Sequence, residues 1–303
     1  MRRLGGGMRT EFRAGDWDGL KRKAMMLSVH GAHEAVRDIA ENAGLRSPLD
    51  GLIEPEGHSI GTVLAGGILR YRAWRIRGGY LAEDTPGLTM QAYGDVLLEA
   101  TDMLDAALAV APRDPLACGF RSSISVEEDR DGKRAALKRV QEADGDIAAG
   151  ALGDVLSAWT YKWGMSQDDM WDAFARLHVP DRIATLALVP QAHWEQQTYY
   201  RWFDRKAGRA GKYYRAAAVR QALAEASDRA LEAPADTDAA LLRYIDSWMA
   251  RVFVDAGDSA RARAHFGRLG RHVEVAAWSN GLGPMSNESR FRWARRRSGL
   301  WFS

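Results

Sequence analysis

Cysteine is nearly missing from this chain: Cys118 is the one thiol in 303 residues. A lone cysteine excludes an internal disulfide and a zinc site built on cysteines, and it points to a reducing, cytoplasmic setting. Strand signals are missing too, since no segment sustains apolar/polar alternation and no hairpin dipeptide sits between apolar runs. No apolar run reaches bilayer-spanning length, and the basic opening MRRLGGGMRTEF leads into no apolar stretch of the signal-peptide kind. Net charge is small at +2, so no global field argues for nucleic acid or membrane. There is no G-x-S-x-G nucleophile elbow. The glycines from Gly61 to Gly67, and the run Gly281-Leu282-Gly283-Pro284, lack the P-loop lysine and serine and follow no strand. They read as packing or turn glycines, and no cofactor signature is left.

What the chain does have is helical periodicity. Hydrophobic residues make up 46% and charged residues 27%, ordinary proportions for a globular chain. Trp17, Leu20, Ala24 and Leu27, then Ala32, Val36 and Ile39, recur at helical spacing, so Asp16 to Asn42 reads as two helices ended by Gly44. A long apolar helix follows from Ser59 to Arg77, closed by Gly78-Gly79, and another from Thr89 to Val110. The charged stretch Ser125 to Asp131 reads as a surface turn before a helix over Lys133 to Ala143. Further on come a basic connection from Asp204 to Lys212, a helix to Leu231, and a helix pair from Thr237 to Leu269. Residues 1–8 are expected to be disordered, with Met1 and Met8 both candidate starts. The expected division is 9–130 as N-terminal helical hairpins and 131–303 as C-terminal helical repeats with a basic aromatic tail, or one continuous domain over 9–303.

Five of the 11 Trp fall between Trp159 and Trp202. Trp159 and Trp163 are four apart, as are Met170 and Phe174, which places each pair on one helical face. Gly164 suits a left-handed helix end, and Ser166-Gln-Asp-Asp169 reads as a capping box. Pro180 fits the first turn of the next helix; Pro190 should kink a helix or start a new one.

One stretch resembles a tetratricopeptide repeat: Gly257-Asp258, Ala262 and Phe266 fall at its turn, small-residue and aromatic positions, with Ala250 and Phe253 upstream. Ala100, Leu104, Ala107 and Pro112 resemble a second half-repeat. Helices such as Ser59 to Arg77 exceed the repeat length, so the resemblance implies an all-α, degenerate tetratricopeptide-like helical-hairpin solenoid or superhelical bundle. Trp74-Arg75-Ile76-Arg77-Gly78, Pro112-Arg113-Asp114-Pro115, Lys162-Trp163-Gly164, Phe174-Ala175-Arg176 and Ala192-His193-Trp194-Glu195 are similar in order to uncharacterised bacterial tetratricopeptide-like proteins, a group that implies no activity.

Four groups of residues invite chemistry. His30, His33 and Glu34 lie within one turn of each other, but a metal wants three or four ligands and the order is not HExxH, so polar histidines at the surface are the plainer reading. His193 and Glu195, beside Trp194, form a candidate acid/base pair; simple hydrogen bonding in the core is the plainer reading. Trp163, Trp171, His193, Trp194 and Tyr199 form a candidate binding groove. Arg201, Arg205, Lys206, Arg209, Lys212 and Arg215 form a basic patch interleaved with aromatics, echoed by Arg290 to Arg297 around Trp293. The leading expectation is a protein- or peptide-binding scaffold without catalysis. The alternatives are an enzyme or binding protein of specialised metabolism with a Trp-lined small-molecule pocket, and nucleic-acid binding through the basic stretches; a membrane partner is not expected.

Overall fold

The computed structural model describes residues 6–42, 44, 47–53, 59–78, 85–204, 207–270, 272, 277–278 and 286–300. Among them are fifteen α-helices and no strand. None of these helices is long and apolar enough to cross a membrane. The chain forms two compact units, one over Arg3–Val155 and the other over Leu156–Ser303. The charged turn near residue 130 lies inside the first unit.

The first unit begins with α1 (Gly6–Ala14), α2 (Trp17–Met25) and α3 (Val29–Asn42). Residues 6–8, expected to be disordered, instead open α1, because Met8 and Phe12 lie one turn apart and both enter the core. Residues 1–5 lie outside the described residues. The central element is α4 (Ile60–Arg77), capped by Ser59 and ended by Gly78 at φ 74°, as the sequence predicts. It is buried almost all round, the pattern of a helix enclosed by others. Its arginines follow that burial: Arg70 pairs with Asp154 at 2.6 Å and Arg72 donates to the Ser47 carbonyl at 2.9 Å. Beside it runs α5 (Gly87–Val110), followed by α6 (Pro115–Ser122) and α7 (Arg130–Glu142). Gly66 lets α4 and α5 approach closely, since a Cβ there would lie 2.7 Å from Leu104 Cγ. Ser125 and Val126, expected at the surface, are buried in a 3-10 turn; Glu127, Asp129, Arg130 and Asp131 of that stretch are exposed.

The division between units falls within α8 (Ala149–Ala158). The second unit continues through α9 (Gln167–Leu177), α10 (Leu188–Trp202), α11 (Ala207–Lys212) and α12 (Ala217–Leu231). It ends with α13 (Ala239–Ala256), α14 (Ser259–Leu269) and α15 (Asn287–Arg297). A short helix, α11, occupies part of the expected basic connection. Gly257, left-handed at φ 78°, turns α13 into α14, and Asp258 caps the second helix by accepting from Arg261 N–H at 3.0 Å. Ala250, Ala262 and Phe266 are fully buried in this hairpin. The tail is docked as far as it is described, with Phe291 of α15 set edge-on to Phe266 and Trp278.

Candidate functional site

The region from residue 159 to 215 is organised around α10. Local chemistry sets its approach: Gly164 is left-handed at φ 79°, and Ser166 and Asp169 exchange hydrogen bonds at 3.0 Å in the expected capping box. Two local expectations fail. Trp159 and Trp163 do not share a helical face, because α8 stops at Ala158 and Trp163 lies in a separate 3-10 turn, Tyr161–Trp163. Pro180 sits in a turn, three residues before the 3-10 turn Ile183–Thr185, and opens no α-helix. Pro190 instead falls in the first turn of α10, where its missing N–H leaves no intrahelical bond unmade.

Three faces of α10 meet three different neighbours, since successive helical residues point about 100° apart. On one face, Trp171 of α9 donates its indole N–H to Gln196 at 2.7 Å and sets its ring 5.2 Å from His193. His193 Nδ1 lies 2.7 Å from the Tyr213 hydroxyl. Burial pushes the His193 imidazole down to about 4, so it is neutral near neutrality, and burial raises the Tyr213 phenol. On the next face, Glu195, almost wholly buried, is held by Lys162 at 2.7 Å, and Tyr161 packs on Tyr199 and Phe203. On the third, Trp194 is 4% exposed, set 5.8 Å from Trp248 and beneath the cations of Lys162 and Arg251.

The expected groove residues are thus dispersed. Trp171 and His193 meet, Trp194 faces α13, Tyr199 meets Tyr161, and Trp163 is half-buried on its own turn. His193 and Glu195, two apart on a helix, point to different faces and bond to Tyr213 and Lys162 respectively. They do not meet as an acid/base pair.

At the C-terminal end of α10 the surface changes character. Trp202 is 51% and Phe203 53% exposed, and Arg201, Arg209, Lys212 and Arg215 of the same stretch are exposed too. Arg209 reaches Asp204 at 3.6 Å and lies over the Tyr200 ring. Arg201, Lys212 and Arg215 have no carboxylate partner among the described residues. Arg205 and Lys206 of the expected patch lie outside the described residues. Trp293 on α15 is likewise exposed, at 49%, under Arg297.

His30 and His33 belong to the first unit, where both are buried. His30 Nδ1 accepts from the Ala149 N–H at 3.2 Å. His33 stacks on Phe120 and meets the Tyr71 hydroxyl at 3.2 Å, and burial holds its imidazole well below the usual range. Glu34 is half-buried. Among the described residues, no three of His, Cys, Asp and Glu gather as a metal site.

Sequence reasoning missed one constellation entirely. Ser227 Oγ of α12 lies 2.9 Å from His265 Nε2 of α14, whose Nδ1 lies 2.7 Å from Asp246 Oδ1 of α13. The order of atoms is that of a nucleophile triad. Ser227 and His265 are wholly buried, however, and Arg268 takes both oxygens of Asp246 at 2.7 and 2.9 Å. A hydroxyl with no solvent contact meets no substrate, and the network serves to join three helices. Nothing in the spacing signalled it, because each member comes from a different helix. Compared with protein-family models, curated proteins and solved structures, the chain matches none.

Proposed function

We propose that the chain is a tetratricopeptide-like helical-repeat protein that binds a protein or peptide partner and performs no reaction of its own. The repeat reading draws support from the α13–α14 hairpin, with its left-handed Gly257, capping Asp258 and buried Ala262 and Phe266. One observation carries the binding reading: two adjacent large aromatics, Trp202 and Phe203, stand half in solvent in a stretch that also exposes three cations, Arg201, Lys212 and Arg215, which no described carboxylate neutralises. Aromatic anchors in a rim of unmatched charge are what an acidic segment with an apolar side chain would complement. The small-molecule alternative has less support, because Trp171, Trp194 and Tyr199 face separate neighbours and the candidate acid and base are each engaged elsewhere.

The test is photocrosslinking from a reactive residue at position 203 in the native host, followed by binding of the captured partner to a Trp202→Ser/Phe203→Ser variant. Truncating such anchors should weaken binding by about 2 kcal/mol or more while the melting temperature holds. Unchanged affinity in that variant would remove the surface from consideration. Capture of a nucleic acid in place of a protein would move the reading to the basic-patch alternative.

A further inference from the structure

A cleft of about 760 Å3 opens in the first unit between the C-terminal half of α5, the turn after it, and α7. That volume lies in the range of small-molecule sites. Leu108, Pro112 and Ala135 give it an apolar side, and Arg113, Lys138 and Arg139 bring three cations.

Two carboxylates also line it, and both are engaged. Asp105 accepts from Arg121 Nε at 2.7 Å, and Glu142 lies 3.8 Å from Lys138. Arg113 is matched by Asp144 at 3.0 Å and donates to the Glu142 carbonyl at 2.7 Å. Arg139 is left over. Among the described residues it has no carboxylate within ion-pair distance, and its one hydrogen bond runs from Nη1 to Ser122 Oγ at 3.3 Å.

Arg139 is half-buried, and burial and then the neighbouring Arg121 disfavour its charge, which Glu128 and Asp105 offset only in part. The nearby thiol supplies no counter-charge, since burial pushes Cys118 up to about 11. A desolvated cation whose nearest carboxylates, Asp105 and Glu128, are already bonded to Arg121 is a cost to the fold that an external anion would offset through charge-assisted hydrogen bonds.

We propose that this cleft binds a small organic anion, a carboxylate or phosphate ester, with Arg139 holding the charged group and Leu108, Pro112 and Ala135 covering an apolar body. Arg113 and Lys138, already paired at the surface, assist from the rim. The site is built from residues of the first unit alone and stands or falls independently of the proposed partner-binding surface.

The test is calorimetric titration of the full chain with phenyl phosphate, benzoate, inorganic phosphate and uncharged benzyl alcohol. One-site binding of phenyl phosphate or benzoate is expected, weakened by salt and absent for benzyl alcohol. The tighter of the two anions identifies the charged group. Arg139→Gln should weaken binding about tenfold or more, while the variant melts no lower than the parent because an unmatched charge has gone. If that variant fails to fold, Arg113→Gln/Lys138→Gln carries the test, with a smaller loss expected. Equal binding of benzyl alcohol, no saturable binding of either organic anion, or an Arg139→Gln variant of unchanged affinity would overturn the proposal. Inorganic phosphate binding as tightly as phenyl phosphate would overturn the apolar part of the site.

Discussion

His193 and His265 show how neighbours decide what a buried imidazole does. His193 meets Tyr213 and Trp171 and no carboxylate, so burial alone lowers it from 6.5 to about 4. The unfolded chain therefore binds a proton between those values that the folded chain refuses, and stability is lost as pH falls through that window. The full loss is on the order of 3 kcal/mol. Urea midpoints from pH 7 to pH 4 should fall, and should fall less steeply in His193→Gln. His33 and His178, lowered by burial in the same direction, leave a residual slope. Identical slopes in parent and variant would place the acid sensitivity elsewhere. His265, by contrast, is fixed by Ser227 and by an aspartate that also holds Arg268. Asp246→Ala strands the Arg268 cation and leaves His265 Nδ1 without its partner, which should cost about 3–5 kcal/mol, against about 1 kcal/mol for Ser227→Ala. Equal costs in denaturant unfolding would show that the aspartate does not hold the network.

Between helices, the decisive contacts involve the smallest side chains. A Cβ at Gly66 would lie 2.7 Å from Leu104 Cγ and 3.4 Å from the Ala100 carbonyl, so α4 and α5 cannot keep their separation with alanine there. Gly66→Ala should lose about 1–3 kcal/mol. Gly94, on α5 with nothing within 4 Å of its Cβ position, serves as the internal contrast. Gly94→Ala should gain about 0.5–1 kcal/mol through helix propensity. In the second unit, Ala262→Leu should overpack the α13–α14 hairpin by about 1–3 kcal/mol, since Ala262 has no exposed surface. An unmoved unfolding midpoint for Gly66→Ala or Ala262→Leu would mean that the helices separate at little cost.

Over the whole chain, charge nearly cancels at +2, yet residues 199–220 hold seven cations against one acid. A polyanion should sense the patch and not the sum, because screening confines the attraction to within about 10 Å of each charge. On heparin, Arg201→Gln/Lys212→Gln/Arg215→Gln should elute at clearly lower salt than a charge-matched Arg22→Gln/Arg134→Gln/Arg296→Gln variant. Co-elution of the two would show that net charge alone governs retention.

Much of the helical layout was legible because helix ends are written locally. Ser59 and Gly78 bound α4, Ser166 and Asp169 box the start of α9, and Gly257 and Asp258 turn α13 into α14. Each of those signals acts within about four residues, the reach of a capping hydrogen bond. The errors came where burial outweighed local pattern: Met8 drawn into α1, Ser125 and Val126 turned inward, Trp159 and Trp163 parted by the end of α8. For the candidate site, the sequence supplied the aromatic and basic residues but not their partners. Which group His193 and Glu195 bond, which carboxylates are already taken around Arg139, and how Ser227, Asp246 and His265 meet depend on helices separated by tens of residues. Periodicity fixes the face a side chain occupies along its own helix, and only tertiary packing decides what that face meets.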